Sequence, residues 1–172
     1  AMHTEMWEHP ATQANVTTLR SHGTTVMTPA SGRLTGTDTG PGRLADPQEI
    51  ALLGELLLER RDALPYDLAG VRVLISAGGT REPLDPVRFL GNHSSGKQGF
   101  ALARAAAQRG AVVTVIAGST SDPGDPAGVD VIRISTAEQL ADEMTKRAAE
   151  SDVVIMAAAV ARHVGARHVV IT

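Results

Sequence analysis

The sequence predicts an α/β protein whose main part is a doubly wound, mainly parallel sheet. Four apolar runs of strand length carry this prediction, at residues 71–77, 111–117, 129–134 and 153–159. Such runs lack the polar–apolar alternation of a half-exposed strand and are typical of strands covered on both faces. Helical patterns separate several of them, and strands that alternate with helices form parallel sheets of the Rossmann-like kind.

Residues 1–45 predict irregular segments around a single helix. Pro10 favours the first turn of that helix, and Gly23 ends it. Residues 24–28 are a candidate short strand. Residues 29–42 are rich in glycine and proline, which is typical of a loop, and they are too polar for a core.

A capped helix precedes the expected domain boundary. Asp46, Pro47 and Glu49 have the spacing of an N-cap, a first-turn proline and the third residue of a capping box. The apolar residues after them recur at helical period, and the helix is expected to end near Arg61. Residues 64–70 (LPYDLAG) resemble a short, turn-like linker. We therefore expect three segments: residues 1–63, the linker 64–70, and residues 71–172.

Two helices are expected within the sheet domain. Residues 98–109 are apolar nearly all round, and Ser135 with Glu138 has the spacing of a capping box that opens the second helix. Ligands of doubly wound sheets bind beyond the C-terminal ends of the strands. Residues 78–99 and 157–161 both leave strands at that edge, so a site is expected there.

Composition excludes several classes of function. The chain of 172 residues has a net charge of −3 and only 2 % aromatic residues, so it offers neither a basic surface nor stacking rings for nucleic acid. Cysteine is absent, which excludes disulfides and thiolate chemistry within this polypeptide. The histidines show no metal-ligand spacing, and no metal site is expected. No apolar run approaches the ~18 residues of a membrane span and no signal peptide is recognisable, so we expect no membrane partner and a cytoplasmic protein.

The segment 78–99 (GGTREPLDPVRFLGNHSSGKQG) joins an apolar strand to a helix. Glycine and serine let a backbone approach a ligand closely, and the helix that follows offers unpaired N–H groups to an anion. The segment GNHSSGK is followed by Gln98 where a P-loop has Ser or Thr, and the short GxGxxG turn of a dinucleotide site is absent. The segment predicts a nucleotide or phosphorylated ligand, with a purely structural crossover as the alternative.

The phosphate-binding candidates within this segment share small size or positive charge. Hydroxyls, backbone N–H groups and an ammonium converge just before the helix, although an ordinary serine N-cap has the same pattern. These candidates are Gly78, Gly79, Ser94, Ser95, Gly96 and Lys97.

Asn92 is the candidate catalytic residue, because its amide could hold a carboxylate or a developing oxyanion; a turn asparagine is the alternative. Arg81 and Arg88 could bind an anion or pair internally with Glu82 and Asp85, and internal pairing is the default expectation.

Small residues end the last strand, at Met156, Ala157 and Ala158. They would let a flat base or a ribose lie against the backbone, whose N–H and C=O groups could recognise its edge. Tight packing between a helix and the sheet explains the same residues equally well.

The motifs TREPLDPVR and NxSSGKxG, followed by a strand that ends AAAVA, closely resemble the start of the phosphopantothenate–cysteine ligase domain. In bacteria that domain is fused behind a flavin-dependent phosphopantothenoylcysteine decarboxylase. Residues 2–50, with MHTEMWEHPATQANV, SGRLTGTDTGPGRL and DPQEI, resemble the C-terminal end of the decarboxylase half. The resemblance covers residues 1–161 and implies a piece of a flavoprotein-like α/β domain followed by an incomplete ligase domain.

The resemblance implies two reactions of coenzyme A biosynthesis. CTP would activate the carboxylate of 4′-phosphopantothenate as an acyl-cytidylate, and cysteine would then displace CMP, with Mg²⁺ neutralising the triphosphate. The decarboxylase half would use FMN, whose main binding part is expected to lie outside this chain. Asn92 matches the family's asparagine at the acyl group, and Met156, Ala157 and Ala158 match the strand end that meets cytosine. The family also implies a homo-oligomer for the intact protein.

Three positions depart from the family pattern. Gly36 stands where the decarboxylase half commonly has a cysteine, and His3 where many members have asparagine. Arg162 replaces an aspartate that holds the nucleotide sugar, and residues 162–172 do not resemble the family. We therefore expect a middle part of a longer protein that is inactive by itself. The alternative is a catalytically incompetent remnant that binds nucleotide or phosphopantothenate, or only assembles with partners.

Overall fold

The computed structural model describes residues 2–60, 66–121 and 124–161. The first of these ranges forms three helices and a hairpin. The helices are α1 (Thr4–Glu8), α2 (Pro10–Ser21) and α3 (Pro47–Glu59), and strands β1 (Ala30–Arg33) and β2 (Thr39–Arg43) pair antiparallel. Pro10 and Pro47 occupy the first turns of α2 and α3, as their sequence positions predict.

Two sequence expectations for this part are wrong. Residues 24–28 form no strand, because the Val26 carbonyl accepts a hydrogen bond from the Arg20 guanidinium (3.1 Å) instead of from a neighbouring strand. The expected loop 29–42 contains the hairpin. Its glycines leave room for the start of the chain, since a side chain at Gly42 would collide with the Met2 carbonyl, while Met2 N donates to the Gly42 carbonyl (2.8 Å).

Helix α3 has half of the expected capping box. Asp46 accepts a hydrogen bond from Gln48 N (2.8 Å) and so caps the helix. Glu49 does not reach back to the cap; its carboxylate instead accepts from Arg104 Nε (2.9 Å) in the sheet domain. The helix ends at Glu59, two residues before the expected end at Arg61, which lies outside the described residues.

The second part of the chain confirms the predicted doubly wound sheet. Its elements are β3 (Arg72–Ala77), β4 (Arg81–Pro83), β5 (Phe89–Gly91), α4 (Lys97–Gln108), β6 (Val112–Ala117), β7 (Val129–Arg133), α5 (Ala137–Ala148) and β8 (Val153–Met156). Four parallel strands are ordered β7-β6-β3-β8, and β4 pairs with β5 as a small antiparallel hairpin within the crossover from β3 to α4.

Each face of the parallel sheet is covered by one helix. On one face Val73, Ile75 and Ala77 join the core cluster that includes Phe100 and Ala103 of α4. On the other face Leu74 and Ile116 pack with residues of α5, namely Leu140 and Met144. Full burial of one such aliphatic or aromatic side chain contributes about 1.5–3 kcal/mol, so both faces stabilise the sheet.

Helix α5 begins one residue later than the sequence suggested. Thr136 is the N-cap and forms a reciprocal capping box with Gln139. The expected cap, Ser135, has other bonds: its N–H donates to Gln139 Oε1 (2.8 Å) and its carbonyl accepts from Arg81 N (2.8 Å).

The described part of the expected linker packs against both parts of the chain. Leu68 N donates to the Arg109 carbonyl (3.0 Å), and Asp67 forms an ion pair with Arg109 (2.5 Å). The Arg109 side-chain hydrogen bond holds the pKa of Asp67 below its usual range. Arg20 lies over the Tyr66 ring, 4.0 Å from its centroid, and donates to its hydroxyl (2.7 Å). Residues 66–68 thus contact both α2 and the end of α4.

Candidate functional site at the crevice between β3 and β8

The strand order creates a crevice beside β3. The chain leaves β3, continues through α4 to β6 and β7 on one side, and then returns through α5 to β8 on the other side. Neighbouring strands whose connections run in opposite directions leave an opening at their C-terminal ends, which is where ligands bind in open α/β sheets. Residues 78–81 and 157–161 both lie at this opening.

Two glycines carry the chain from β3 into the crevice. Gly79 N donates to the Ser119 carbonyl (2.9 Å), and Ser119 N returns a bond to the Gly79 carbonyl (2.8 Å). On the other side Ala159 N donates to the Gly78 carbonyl (2.7 Å). Residues 78 and 79 thus tie together the chain segments that follow β6 and β8.

Close packing requires glycine here. A Cβ on Gly79 would lie 2.5 Å from the Asn92 carbonyl oxygen, and one on Gly78 would lie 2.7 Å from the Ser119 carbonyl oxygen. Gly78 also has a positive φ of 80°, which favours glycine. Both candidates are therefore required for the backbone shape, whether or not they touch a ligand.

The structure brings Asn92 together with the segment after β8. Asn92 Nδ2 donates to the Val160 carbonyl (3.0 Å), a bond that spans 68 positions in sequence. Asn92 is exposed, so its side chain borders the crevice while fixing one wall of it. Met156 is 44 % exposed, and Ala157 and Ala158 are half-buried on the same segment.

The candidate phosphate site surrounds the start of α4. Gly96 is the N-cap in a left-handed conformation (φ 73°), and Ser95 Oγ accepts a long hydrogen bond from Lys97 N (3.4 Å). Ser94 is half-buried, and the Ser95 and Lys97 side chains are exposed. Among the described residues no hydrogen-bond acceptor meets the N–H groups of Gln98 and Gly99. An anion could therefore bind between these N–H groups and the ammonium.

Of the expected internal ion pairs in the crossover, Arg88 with Asp85 forms, whereas Arg81 and Glu82 make other contacts among the described residues. Arg88 binds Asp85 (2.5 Å), and the N–H of Val87, followed by the Arg88 guanidinium, holds the pKa of Asp85 below its usual range. Arg81 lies over the Phe89 ring, 4.7 Å from its centroid. Glu82 accepts from Ala137 N (2.8 Å) and thereby caps α5.

Sequence reasoning missed two buried hydroxyls. Ser76 Oγ accepts hydrogen bonds from Ala157 N (3.1 Å) and Ala158 N (3.2 Å), and Thr80 Oγ1 accepts from Ala161 N (2.8 Å). Ser76 and Thr80 are 0 % and 1 % exposed. In the sequence, Ser76 is merely a polar residue near the end of an apolar strand, and Thr80 merely follows Gly78 and Gly79.

The described residues offer no protein-based metal site. Nowhere in residues 2–60, 66–121 and 124–161 do three or more His, Asp or Glu side chains come together in a way that could hold a metal ion. In the same ranges no helix is long and apolar enough to cross a membrane.

Comparison with known proteins identifies the family. The model of the DNA/pantothenate metabolism flavoprotein C-terminal domain matches residues 68–168, and the model named Flavoprotein matches residues 1–53. The chain belongs to the DNA/pantothenate metabolism flavoprotein family. The first match includes residues 162–168, so the expectation that the family resemblance ends at residue 161 is wrong for these residues, which lie outside the described ones.

A relative from Mycobacterium tuberculosis agrees with this assignment. The chain is 65 % identical over 161 residues to the coenzyme A biosynthesis bifunctional protein CoaBC of Mycobacterium tuberculosis, an overlap of 94 % of this chain and 38 % of that protein. The chain thus spans about two fifths of the length of such relatives. The resemblance drawn from the sequence is confirmed.

Two crystal structures support the fold. One is the C-terminal domain of a coenzyme A biosynthesis bifunctional protein CoaBC (TM-score 0.54, 41 % identity, 56 % of this chain and 49 % of that chain). The other is the DNA/pantothenate metabolism flavoprotein from Streptococcus pneumoniae (TM-score 0.50, 28 % identity, 54 % of this chain and 42 % of that chain).

Proposed function

We propose that this chain supplies the substrate-side half of a CTP-dependent phosphopantothenate–cysteine ligase site in coenzyme A biosynthesis. In the first step the carboxylate of 4′-phosphopantothenate attacks the α-phosphate of CTP and releases pyrophosphate. In the second step the amine of cysteine attacks the acyl carbon of the acyl-cytidylate, CMP leaves, and an amide forms. Neither step needs a protein nucleophile, which agrees with a chain that has no cysteine.

The observation that carries the proposal is the Asn92–Val160 hydrogen bond across the crevice. It joins the loop that would meet the acyl group to the strand end that would meet the base. Phosphopantothenate on one side and CTP on the other would have the reacting carboxylate and the α-phosphate brought close together. Positioning of this kind is a large part of catalysis for two bound substrates.

Each candidate residue has a definite role in the proposal. The amide of Asn92 would bind the acyl oxygen, on which charge develops. Lys97 and the free N–H groups of α4 would bind the phosphate of phosphopantothenate, with Ser94 and Ser95 as hydroxyl donors. The backbone at Met156, Ala157 and Ala158 would bind the cytosine.

In the intact protein Mg²⁺ would neutralise the charge of the triphosphate, although no cluster of three or more His, Asp or Glu side chains among the described residues is placed to hold it.

The family further suggests an FMN-dependent decarboxylation to 4′-phosphopantetheine in the intact protein. Residues 2–60 form an antiparallel hairpin and three helices, with no parallel sheet in that range to present a flavin phosphate site. The match of residues 1–53 to the Flavoprotein family model supports FMN as the cofactor of that reaction. A homo-oligomer and a cytoplasmic location complete the proposal for the intact protein.

Pyrophosphate release tests the proposal. The chain is joined to the remaining part of a relative's ligase domain, and release is measured with CTP and 4′-phosphopantothenate, first without and then with cysteine. The relative's own complete protein is the positive control. We expect CTP-dependent release with this chain in place. Folded protein that binds CTP and phosphopantothenate but releases no pyrophosphate would favour the binding-only remnant instead.

A further inference from the structure

We infer that Thr80 is a positioning residue for Asn92: it holds the chain on both sides of Val160, whose carbonyl in turn fixes the Asn92 amide. The inference rests on the proposed function and extends it from the residue that would meet the acyl group to the residue that orients it. It follows from the hydrogen bonds between Thr80 and the segment after β8.

Thr80 binds that segment through two of its groups. Its backbone N–H donates to the Ala159 carbonyl (3.1 Å), and its hydroxyl accepts a hydrogen bond from Ala161 N (2.8 Å). These two partners are the immediate neighbours of Val160, so a single residue holds the chain on either side of it. Thr80 is 1 % exposed and Ala161 is 5 % exposed, so water does not readily replace the bond between them.

The bond to Val160 determines the orientation of the Asn92 side chain. A carbonyl oxygen only accepts hydrogen bonds, so the amide presents Nδ2 to it (3.0 Å) and not Oδ1. Because the amide group is planar, fixing one N–H also fixes the direction of the second N–H and of Oδ1. Within the described part of the chain these two groups have no protein partner, and the second N–H is available to an acyl oxygen.

Thr80 also contacts the strand that leads into Asn92. A Cβ on Gly91 would lie 2.9 Å from the Thr80 carbonyl oxygen, so the two backbones are in close contact directly before Asn92. Thr80 therefore supports the Asn92–Val160 bond from both ends. Such support matters for a reaction, because a displacement of about 1 Å in a group that stabilises the reacting atoms can slow turnover by about 10²-fold.

Ser76 provides a matched control in the same crevice. Its hydroxyl is equally buried and also accepts hydrogen bonds from backbone N–H groups, those of Ala157 and Ala158. Neither of these residues adjoins Val160. Loss of the Ser76 hydroxyl should therefore disturb the strand end that would meet the base, without acting through Asn92.

Pyrophosphate release by the chain joined to the rest of a relative's ligase domain tests the inference. Thr80→Val keeps the shape of the side chain but leaves the Ala161 N–H without an acceptor. We expect it to lower kcat by about tenfold and to change the KM for CTP by less than about twofold. Thr80→Ser retains the hydroxyl and should restore kcat to within about twofold of wild type.

A double-mutant cycle shows whether Thr80 acts through Asn92. In an Asn92→Ala background the amide that Thr80 orients is gone, so Thr80→Val should lower kcat by less than about twofold further. Ser76→Ala should lower kcat by the same factor in both backgrounds. A loss from Thr80→Val that is equally large in both backgrounds, or a raised KM with unchanged kcat, overturns the inference and leaves the proposed function intact.

NMR spectroscopy of the full chain gives a measurement that needs no turnover. We expect slow hydrogen exchange at the Ala161 amide in the wild type, and Asn92 side-chain NH₂ resonances that change in Thr80→Val but not in Thr80→Ser. Rapid exchange at Ala161, which needs no variant to observe, or unchanged Asn92 resonances in folded Thr80→Val overturn the inference. If these resonances behave as expected but the folded joined protein releases no pyrophosphate, the proposed function is overturned and the orientation of Asn92 by Thr80 stands.

Discussion

Replacement of Gly79 by alanine tests whether the crevice is held as tightly as its contacts indicate. The new Cβ would lie 2.5 Å from the Asn92 carbonyl oxygen, so one of the two backbones must move by about 0.5–0.9 Å to reach an ordinary contact. Neither can move freely, because Gly79 exchanges two hydrogen bonds with Ser119 and Asn92 is bonded to Val160. Overpacking of this kind costs about 1–3 kcal/mol, and we expect Gly79→Ala to reduce the free energy of unfolding by that amount.

Urea unfolding followed by circular dichroism measures the effect. The matched control is Gly54→Ala in α3, where an added Cβ meets nothing within 4 Å and φ is not positive. The control should be stabilised by about 0.5–1 kcal/mol, because alanine is the better helix former. The two substitutions are chemically identical and should move the urea midpoint in opposite directions. A Gly79→Ala protein as stable as the wild type would refute the rigid packing of the loop against Asn92.

Three further predictions concern single residues. Asn92→Asp should slow turnover by about 10²-fold, because it replaces an amide donor by a charge that repels both the Val160 carbonyl and a substrate carboxylate. Pyrophosphate release by the chain joined to the rest of a relative's ligase domain measures the effect. Turnover within about twofold of wild type would remove Asn92 from the site. The pKa of Asp67 is held low by Arg109, so this pair contributes stability above the unfolded-state pKa of about 3.9, and the contribution disappears as the pH falls through the folded-state value. Unfolding measured from pH 2 to pH 6 should thus depend less on pH in Asp67→Asn, and identical curves would contradict the assignment. Thr136→Ala, which removes the cap of α5, should cost about 1 kcal/mol of stability by urea unfolding, whereas Thr136→Ser should retain most of it.

The sequence predicts the sheet well because its strands are specified locally. The apolar run that forms β3 is buried on both faces, as a strand in the middle of a parallel sheet between helices requires. The run that forms β8 is not, because β8 lies at the edge of the sheet and Val153, Val154 and Met156 are each more than 40 % exposed. The hairpin of β1 and β2 could not be predicted in this way. Its glycines indicate a loop, and only the approach of the chain near Met2 and Thr4 gives them a place in a pair of strands.

The candidate site is likewise predictable from the sequence only in part. The edge at which the site lies is predictable, since the C-terminal ends of parallel strands meet there. The Asn92–Val160 bond is not, because it depends on the path of a crossover that spans two strands and a turn. Ser76 shows the limit most clearly. A serine inside an apolar run looks like a tolerated polar residue until the structure brings two amides to its hydroxyl.

The contacts of Ser76 also bear on the order in which the molecule assembles. Its hydroxyl binds amides that lie 81 and 82 positions further along the chain, so no part of this arrangement can form from local interactions. Closing so long a loop has an entropic cost that only the completed pairing of β3 with β8 can offset. The crevice should therefore be among the last features to form during folding, and a nucleotide that binds it would capture the chain at the final stage of its assembly.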